Sequence, residues 1–152
     1  MNEKLLIEFL EKFDIEKNII SEFLKNKKIL EKNKNIFLIP KNDNFIKNQV
    51  YSDLLILIDL NSFLPSKFLL KFIRENTNNL IEISNEKQAL NFTYSKKILI
   101  ESTKNPKARF NLDKSYIVIY KNNILGYAKF VNKNGNFYFE NEMNIGDYLK
   151  EN

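Results

Sequence analysis

The chain has 152 residues and a formal net charge of +5, with 43% apolar and 28% charged residues, a composition typical of one folded domain or two small ones and not of a disordered polypeptide. Because it contains no cysteine and no histidine, disulfides, thiolate or imidazole metal sites and the commonest nucleophile–base pairs are excluded. The apolar run Leu54–Ile58 is much shorter than the about 20 residues that span a bilayer, and the amphipathic first residues are unlike a signal peptide, so we expect no membrane partner.

Two amphipathic helices are predicted at the start of the chain. In the first, apolar residues recur at steps of three and four, which places one face in a core. That face comprises Leu6, Phe9, Leu10 and Phe13. Asp14 is expected to cap the second helix, because a carboxylate accepts hydrogen bonds from the free amides at a helix start, and Glu16 favours the positive end of the helix dipole. The second helix is predicted to bury Ile15, Ile19, Ile20, Phe23 and Leu24.

Three strands are predicted in the rest of the first half. Asn35–Ile39 is a short strand ended by Pro40, because proline cannot donate a hydrogen bond to a continuing ladder. Leu54–Ile58 is rich in branched residues and fits a strand buried on both faces, and Leu80–Ile83 is a further strand. Neither of these two is followed by a glycine-rich turn, so no dinucleotide or P-loop site is predicted.

A helix is predicted between Leu54–Ile58 and Leu80–Ile83, beginning at a cap on Asn61 or Ser62 with Pro65 in its first turn. Its buried residues are expected to be Phe63, Leu64, Phe68, Leu69 and Phe72. The order strand, helix, strand predicts a βαβ unit in which the two strands pair in parallel through a right-handed crossover.

The second half is predicted to be mostly β. Tyr116–Tyr120 and Ile124–Val131 form two strands joined by a reversal at Asn122–Asn123, because asparagine tolerates positive φ. Asn134–Gly135 is the strongest hairpin signal in the chain and leads into Asn136–Phe139. Turns this closely spaced predict a small barrel or meander, so we divide the chain into a mixed α/β domain, 1–86, and a β domain, 87–152.

Charge is distributed unevenly along the chain. Residues 87–133 contain ten basic and two acidic residues, a net charge of +8, whereas residues 1–86 are neutral and residues 134–152 carry −3. Such a segment favours a polyanionic partner, because lysine and arginine that neutralise phosphates release condensed counterions. A lysine-rich surface kept for solubility is the alternative.

Aromatic residues accompany the basic segment and offer faces on which unpaired bases could stack. They are Phe92, Tyr94, Tyr116, Tyr120, Tyr127, Phe137, Tyr138 and Phe139. Alternation along a strand places Tyr116, Val118 and Tyr120 on one face, so we expect most of the aromatics to fill the barrel interior instead.

Four segments resemble, in order and approximate spacing, the PUA domain of the Nip-seven family of ribosome-biogenesis factors. They are Asn91–Ile98, Tyr116–Tyr120, Leu125–Lys129 and Asn144–Lys150, and the two strands around the predicted helix resemble the upstream domain of that family. Ser95 departs from the pattern, since the family has glycine after the tyrosine. Gly146 is expected to allow a tight or positive-φ turn, after which Tyr148 and Leu149 pack onto the barrel.

The resemblance implies an α+β protein that joins an N-terminal α/β domain to an RNA-binding PUA domain. It implies a non-enzymatic factor in large-subunit assembly or pre-rRNA processing, with rRNA or pre-rRNA and assembly proteins as partners and no cofactor or metal. A cytoplasmic, archaeal protein is expected, or a nucleolar one if the source is eukaryotic. The alternatives are a protein-interaction adaptor and an accessory RNA-recognition subunit of an RNA-modifying enzyme.

The candidate RNA contacts are seven cations. Lys129 and Lys133 are favoured by the resemblance, and the others by local charge, namely Lys96, Lys97, Lys104, Lys107 and Arg109. The planar fork of Arg109 suits bidentate contact with phosphate or a base, and an ion pair with Asp113 is its structural alternative. We expect these cations to share one exterior patch.

Overall fold

The computed structural model describes residues 2–40, 55–59 and 64–146, and the chain divides into two compact units. The first unit is formed from Met1–Glu11 and Ile15–Asn76, and the second from Lys12–Asp14 and Thr77–Asn152. The division therefore follows Asn76 and not Glu86, because the strand and helix that come directly after Thr77 belong to the second unit.

The described residues contain four α-helices and nine strands, a mixed α+β architecture that agrees with the predicted fold class. The helices are α1 (Asn2–Glu11), α2 (Lys17–Leu24), α3 (Lys67–Asn76) and α4 (Glu86–Thr93). The strands are β1 (Lys27–Lys32), β2 (Asn35–Pro40), β3 (Leu55–Asp59), β4 (Leu64–Pro65), β5 (Leu80–Glu82), β6 (Ile98–Leu99), β7 (Ser115–Tyr120), β8 (Asn123–Lys133) and β9 (Asn136–Asn144). A single 3-10 turn of the described chain, Ile100–Ser102, follows β6.

The first unit contains an antiparallel sheet in the order β1-β2-β3-β4. The sequence predicted β2 and β3 but not β1. The turn between β1 and β2 uses Asn33 and Lys34, both at positive φ (51° and 61°), and sets Leu30 opposite Phe37. Leu30 packs against buried Phe37 and Ile39, so the paired strands β1 and β2 share an apolar face.

The predicted parallel pairing of Leu54–Ile58 with Leu80–Ile83 is wrong. Strand β3 pairs antiparallel with β2 on one side and with β4 on the other, so neither of its edges is left for β5. Strand β5 pairs in parallel with β7, in a separate sheet.

Helix α3 begins one turn later than predicted. Its cap is Ser66, whose Oγ accepts a hydrogen bond from Leu69 N at 3.1 Å, while Pro65 belongs to β4 ahead of the helix. The predicted cap residues Asn61 and Ser62 lie outside the described residues, as does Phe63. The buried residues of α3 are Leu69, Leu70 and Ile73, whereas Phe68 is exposed.

Asp14 does not cap α2. The N-cap of α2 is Glu16, which makes no side-chain hydrogen bond to the helix, and Asp14 has a left-handed backbone with φ of 54°. The Asp14 carboxylate instead pairs with Lys114 Nζ at 2.9 Å and accepts a hydrogen bond from Asn79 Nδ2 at 3.2 Å.

The second unit is built on a curled five-stranded sheet in the order β5-β7-β8-β9-β6, a half-barrel. Its end strands do not pair with each other, but an isolated bridge joins Ile83 to Thr103 and brings the chain after β6 back to β5. The expected closure is therefore partial. The predicted Asn134–Gly135 turn is confirmed, with φ of 55° and 86°, whereas the β7–β8 turn lies at Lys121–Asn122, one residue earlier than predicted.

The largest core cluster of the second unit includes the side chains that the predicted alternation places on one face of β7. Tyr116 and Val118 are buried there, and Tyr120 packs against them, together with Phe92 of α4 and Phe139 of β9. Burial raises the pKa of the Tyr116 hydroxyl above its usual value, and the nearby Asp14 carboxylate raises it further. The hydrogen bond that the Asn111 N–H donates to this hydroxyl lowers the pKa, but by less than burial raises it.

Residues 12–14 are held in the second unit by hydrogen bonds from residues far along the chain. Ser115 N donates to Lys12 O at 2.8 Å, and Asn79 Nδ2 donates to Ser115 O at 3.1 Å as well as to Asp14. The Phe13 ring meets Tyr127 edge-on, with centroids 5.4 Å apart. This short segment is therefore an integral part of the second unit.

Gly146 is required by close approach and not by positive φ. A Cβ at this position would lie 2.7 Å from Thr93 O, and Gly146 N donates to Asn144 Oδ1 at 2.9 Å. Tyr148 and Leu149, which were expected to pack on the barrel, lie outside the described residues.

Candidate nucleic-acid interface

The loop that follows α4 carries two of the predicted cations. Asn85 caps the start of α4 by accepting a hydrogen bond from Gln88 N at 2.9 Å, and the helix ends where Ser95 adopts a left-handed φ of 66°. Beyond that point Lys96 and Lys97 are exposed. Tyr94 is also on this loop and is 70% exposed, so one of its ring faces is available to a ligand.

Two asparagines of β9 fix this loop in place. Asn141 Nδ2 donates to Phe92 O at 2.8 Å and to Lys96 O at 3.3 Å. Asn144 is buried, and its Nδ2 donates to Ser95 Oγ at 3.1 Å. Because the backbone of the loop is tied to a central strand of the sheet, Lys96 and Lys97 project from a preorganised position. No periodic pattern in the sequence points to these two asparagines.

Lys97 lies against an aromatic ring of the same sheet. Its Nζ is 4.5 Å from the centroid of Tyr138 on β9, within the range of a cation–π interaction. Tyr138 is directly opposite Leu99 of β6 and Val131 of β8, and residues directly opposite share a face. Leu99 is exposed, so this face is open to solvent at β6.

Lys129 and Lys133 lie on the same face. Side chains two and four residues apart on a strand point to one side, so Lys129, Val131 and Lys133 share the face that Tyr138 occupies. Within the described part of the chain, neither lysine forms an ion pair, although Glu140 is opposite Lys129. We call Lys97, Lys129, Lys133 and Tyr138 the hairpin face.

The other three predicted cations lie elsewhere, on the loop between the 3-10 turn and β7. Lys104 Nζ is 2.9 Å from Glu82 Oε1 of β5, which neutralises it in part. Glu82 pairs with Ile119 of β7, which in turn pairs with Ile124 near the start of β8. Lys104 is therefore level with the start of β8, whereas Lys133 is at its end, about 30 Å further along the strand. The expectation of one shared patch is therefore wrong for Lys104.

Lys107 and Arg109 are exposed on that same loop. Among residues 2–40, 55–59 and 64–146 neither makes an ion pair, so the alternative pairing of Arg109 with Asp113 is not observed.

The aromatic residues separate clearly into core and surface. Phe92, Tyr116, Tyr127 and Phe139 are buried. Tyr94 and Phe137 are exposed, Tyr138 is half-buried, and Tyr120 is half-buried with Lys121 Nζ 5.4 Å from its ring. The surfaces available for stacking are thus at the α4 loop and at the β8–β9 hairpin.

Neither a scan against models of known protein families nor a search of curated proteins finds a match to this chain. No helix of the described ranges has the length and apolarity needed to cross a membrane. In those ranges, no three side chains of the metal-ligating types cluster in a way that would hold an ion.

Proposed function

We propose that this protein is a non-enzymatic RNA-binding protein of the PUA type that acts in assembly of the large ribosomal subunit or in processing of its precursor RNA. The observation that carries the proposal is the hairpin face. Three cations lie beside an aromatic ring on one side of a sheet, and within the described chain none of the three is engaged by a carboxylate. Cations bind the phosphates of RNA, and aromatic rings stack on its unpaired bases.

The order of elements supports the PUA type. The first three segments that resemble the family coincide with the α4 loop and the start of β6, with β7, and with the middle of β8. The fourth begins at Asn144, the last residue of β9, and its residues 147–150 lie outside the described residues. The departure at Ser95 is accommodated, because Ser95 has the left-handed backbone that glycine adopts readily. The first unit, within a segment of zero net charge, is proposed to bind assembly proteins.

A salt titration with a structured RNA tests the proposal. Three phosphate contacts predict a slope of about −2.1 to −2.7 in a plot of log affinity against log salt, which is about a 20- to 40-fold loss of affinity between 50 and 200 mM salt. Reversing the charge of both Lys129 and Lys133 to Glu is expected to weaken binding about 10-fold or more and to flatten the slope by about 1.5.

Lys87→Glu is the matched control, since Lys87 is an exposed lysine of the same unit that is outside the hairpin face. Equal RNA affinity of the double variant and of this control would show that the hairpin face does not bind RNA. Retention of acidic proteins without RNA would support an adaptor instead. Crosslinking in cells, followed by sequencing of the attached RNA, tests the ribosomal assignment, which fails if the attached RNA is not a large-subunit precursor.

A further inference from the structure

A groove of about 260 Å³ lies along β5, the end strand of the second sheet. One wall is formed by Leu80 and Glu82 of β5 with Ile119 of β7, and the other by the loop that carries Lys104, Ala108 and Phe110. The hairpin face does not contribute to this groove. The groove is therefore a separate concave surface of the same unit.

The interior of the groove is mainly apolar and accessible. Leu80 is 40% exposed, although it belongs to a strand, and Phe110 is half-buried, with its ring edge-on to Phe139 at 4.9 Å. A rigid aromatic ring beside exposed aliphatic carbon is a surface that favours a flat, weakly polar ligand. The volume is just below the range of about 300–1,000 Å³ for drug-sized ligands, so one small ring system fits.

Polar groups lie at one end of the groove. The Glu82 carboxylate and the Lys104 ammonium are 2.9 Å apart, and both side chains are roughly half-exposed. They present an acceptor and a donor next to each other. The carboxylate repels phosphate but accepts hydrogen bonds from exocyclic amino groups of bases, so this end suits a base and not a phosphate.

Positive charge lies on the loop that forms the second wall. Residues 104–109 include three cations and no acidic residue. In the part of the chain that the structure describes, Lys107 and Arg109 are exposed and form no ion pair. Their charge complements an anionic group attached to a ligand that occupies the apolar groove.

From this arrangement we infer that the groove binds one unpaired nucleotide of an RNA. The base packs between Leu80, Ala108 and Phe110, its amino group donates to Glu82, and its phosphate contacts Lys107 and Arg109. The inference rests on the proposed function for the identity of the polymer, but it assigns a second site to it. Uracil has no exocyclic amino group, so a uridine nucleotide is expected to bind about fivefold more weakly than a cytidine nucleotide.

Nuclear magnetic resonance of the full ¹⁵N-labelled chain tests the site directly. The four ribonucleoside 5′-monophosphates are the probes, with cytidine and inorganic phosphate as separate controls for the base and the anion. We expect saturable shifts of the amides in 80–82 and 104–110 with cytidine monophosphate, weaker shifts with cytidine, and shifts limited to 107–109 with phosphate. Glu82→Gln is expected to reduce the preference for cytidine over uridine monophosphate, because the amide supplies donors as well as an acceptor.

Two variants separate this site from the hairpin face. Ala108→Leu, which fills the groove, is expected to abolish the nucleotide shifts. The slope of log affinity against log salt for structured RNA should become shallower by no more than about 0.9, the contribution of one phosphate contact. The Lys129→Glu and Lys133→Glu double variant is expected to keep the nucleotide shifts. Circular dichroism of each variant checks that it is folded.

Three results would overturn the inference. Nucleotide shifts confined to Lys96, Lys97 and the β8–β9 hairpin would show that the groove does not bind nucleotides, while leaving the proposed function intact. Groove shifts caused by a polyglutamate peptide but not by nucleotides would assign the groove to a protein partner. Absence of binding by any nucleotide or RNA to the wild-type chain would reject the proposed function and the nucleotide site together.

Discussion

Replacing Gly126 by alanine is expected to destabilise the second unit strongly. Gly126 is in β8 where the pairing register shifts against both neighbouring strands, and its φ of +144° is one that other residues rarely adopt. A Cβ would lie 1.9 Å from Met143 O and 2.7 Å from the Cα of Asn144, whereas Cβ contacts under 3.0 Å are essentially never observed. Strand β9 would therefore have to shift by roughly 1 Å, and overpacking together with backbone strain gives a cost of about 4 kcal/mol in the free energy of unfolding.

Gly135 is the matched control in the same sheet. It has positive φ (+86°), but an added Cβ would meet nothing within 4 Å, so Gly135→Ala carries only the cost of the left-handed backbone, about 1 kcal/mol. Urea denaturation followed by circular dichroism compares the two variants with the parent. If they differed by less than about 0.5 kcal/mol at equal m value, the steric reasoning for Gly126 would be refuted.

Three further predictions concern single side chains. Asn79→Ala is expected to lower the free energy of unfolding by about 2 kcal/mol in urea denaturation, because the buried Ser115 carbonyl loses its side-chain donor and the Asp14 carboxylate keeps Lys114 but loses the Asn79 amide. A loss below about 1 kcal/mol would contradict this role. The free energy of unfolding is expected to fall as the pH rises above about 10, because the pKa of Tyr116 is raised in the folded chain and the unfolded chain therefore loses the Tyr116 hydroxyl proton at a lower pH. Urea denaturation at several pH values should show a smaller fall for Tyr116→Phe than for the parent. Ser66→Ala should cost about 1 kcal/mol through loss of the cap of α3, and no change in the urea midpoint would show that this cap is not stabilising.

The hairpins of the second unit were predictable because their signals are local. Asn134–Gly135 is a strong turn sequence, and the alternation around Val118 assigns the core face from sequence alone. The β7–β8 turn was misplaced by one residue, because Asn122 and Asn123 both tolerate the positive φ that Lys121 and Asn122 adopt in the structure.

The errors came from features that depend on distant residues. The partner of β5 is decided by β7, more than 30 residues later, and nothing within the strand–helix–strand segment distinguishes that pairing from the expected one. Asp14 has the residue type and the position expected of a cap for α2, but its carboxylate binds Lys114 and Asn79 and not the free amides of that helix.

The candidate site shows the same division. Composition placed excess positive charge in residues 87–133, but it did not reveal which lysines are neutralised. Lys104 is paired with a carboxylate 22 residues away, and the loop of Lys96 is fixed by Asn141, 45 residues away. Such amide and carboxylate contacts have no periodicity that a sequence pattern could reveal.

The assignment of residues 12–14 to the second unit has a consequence for synthesis of the protein. Lys12 emerges from the ribosome early, but its carbonyl accepts a hydrogen bond from Ser115 N, which is synthesised roughly a hundred residues later. The segment between α1 and α2 therefore gains its hydrogen bonds to the rest of the second unit only when translation is nearly complete. For the same reason, a gene fragment starting at Thr77 would encode a truncated second unit, and a circular permutant that restores residues 12–14 should fold better than that fragment.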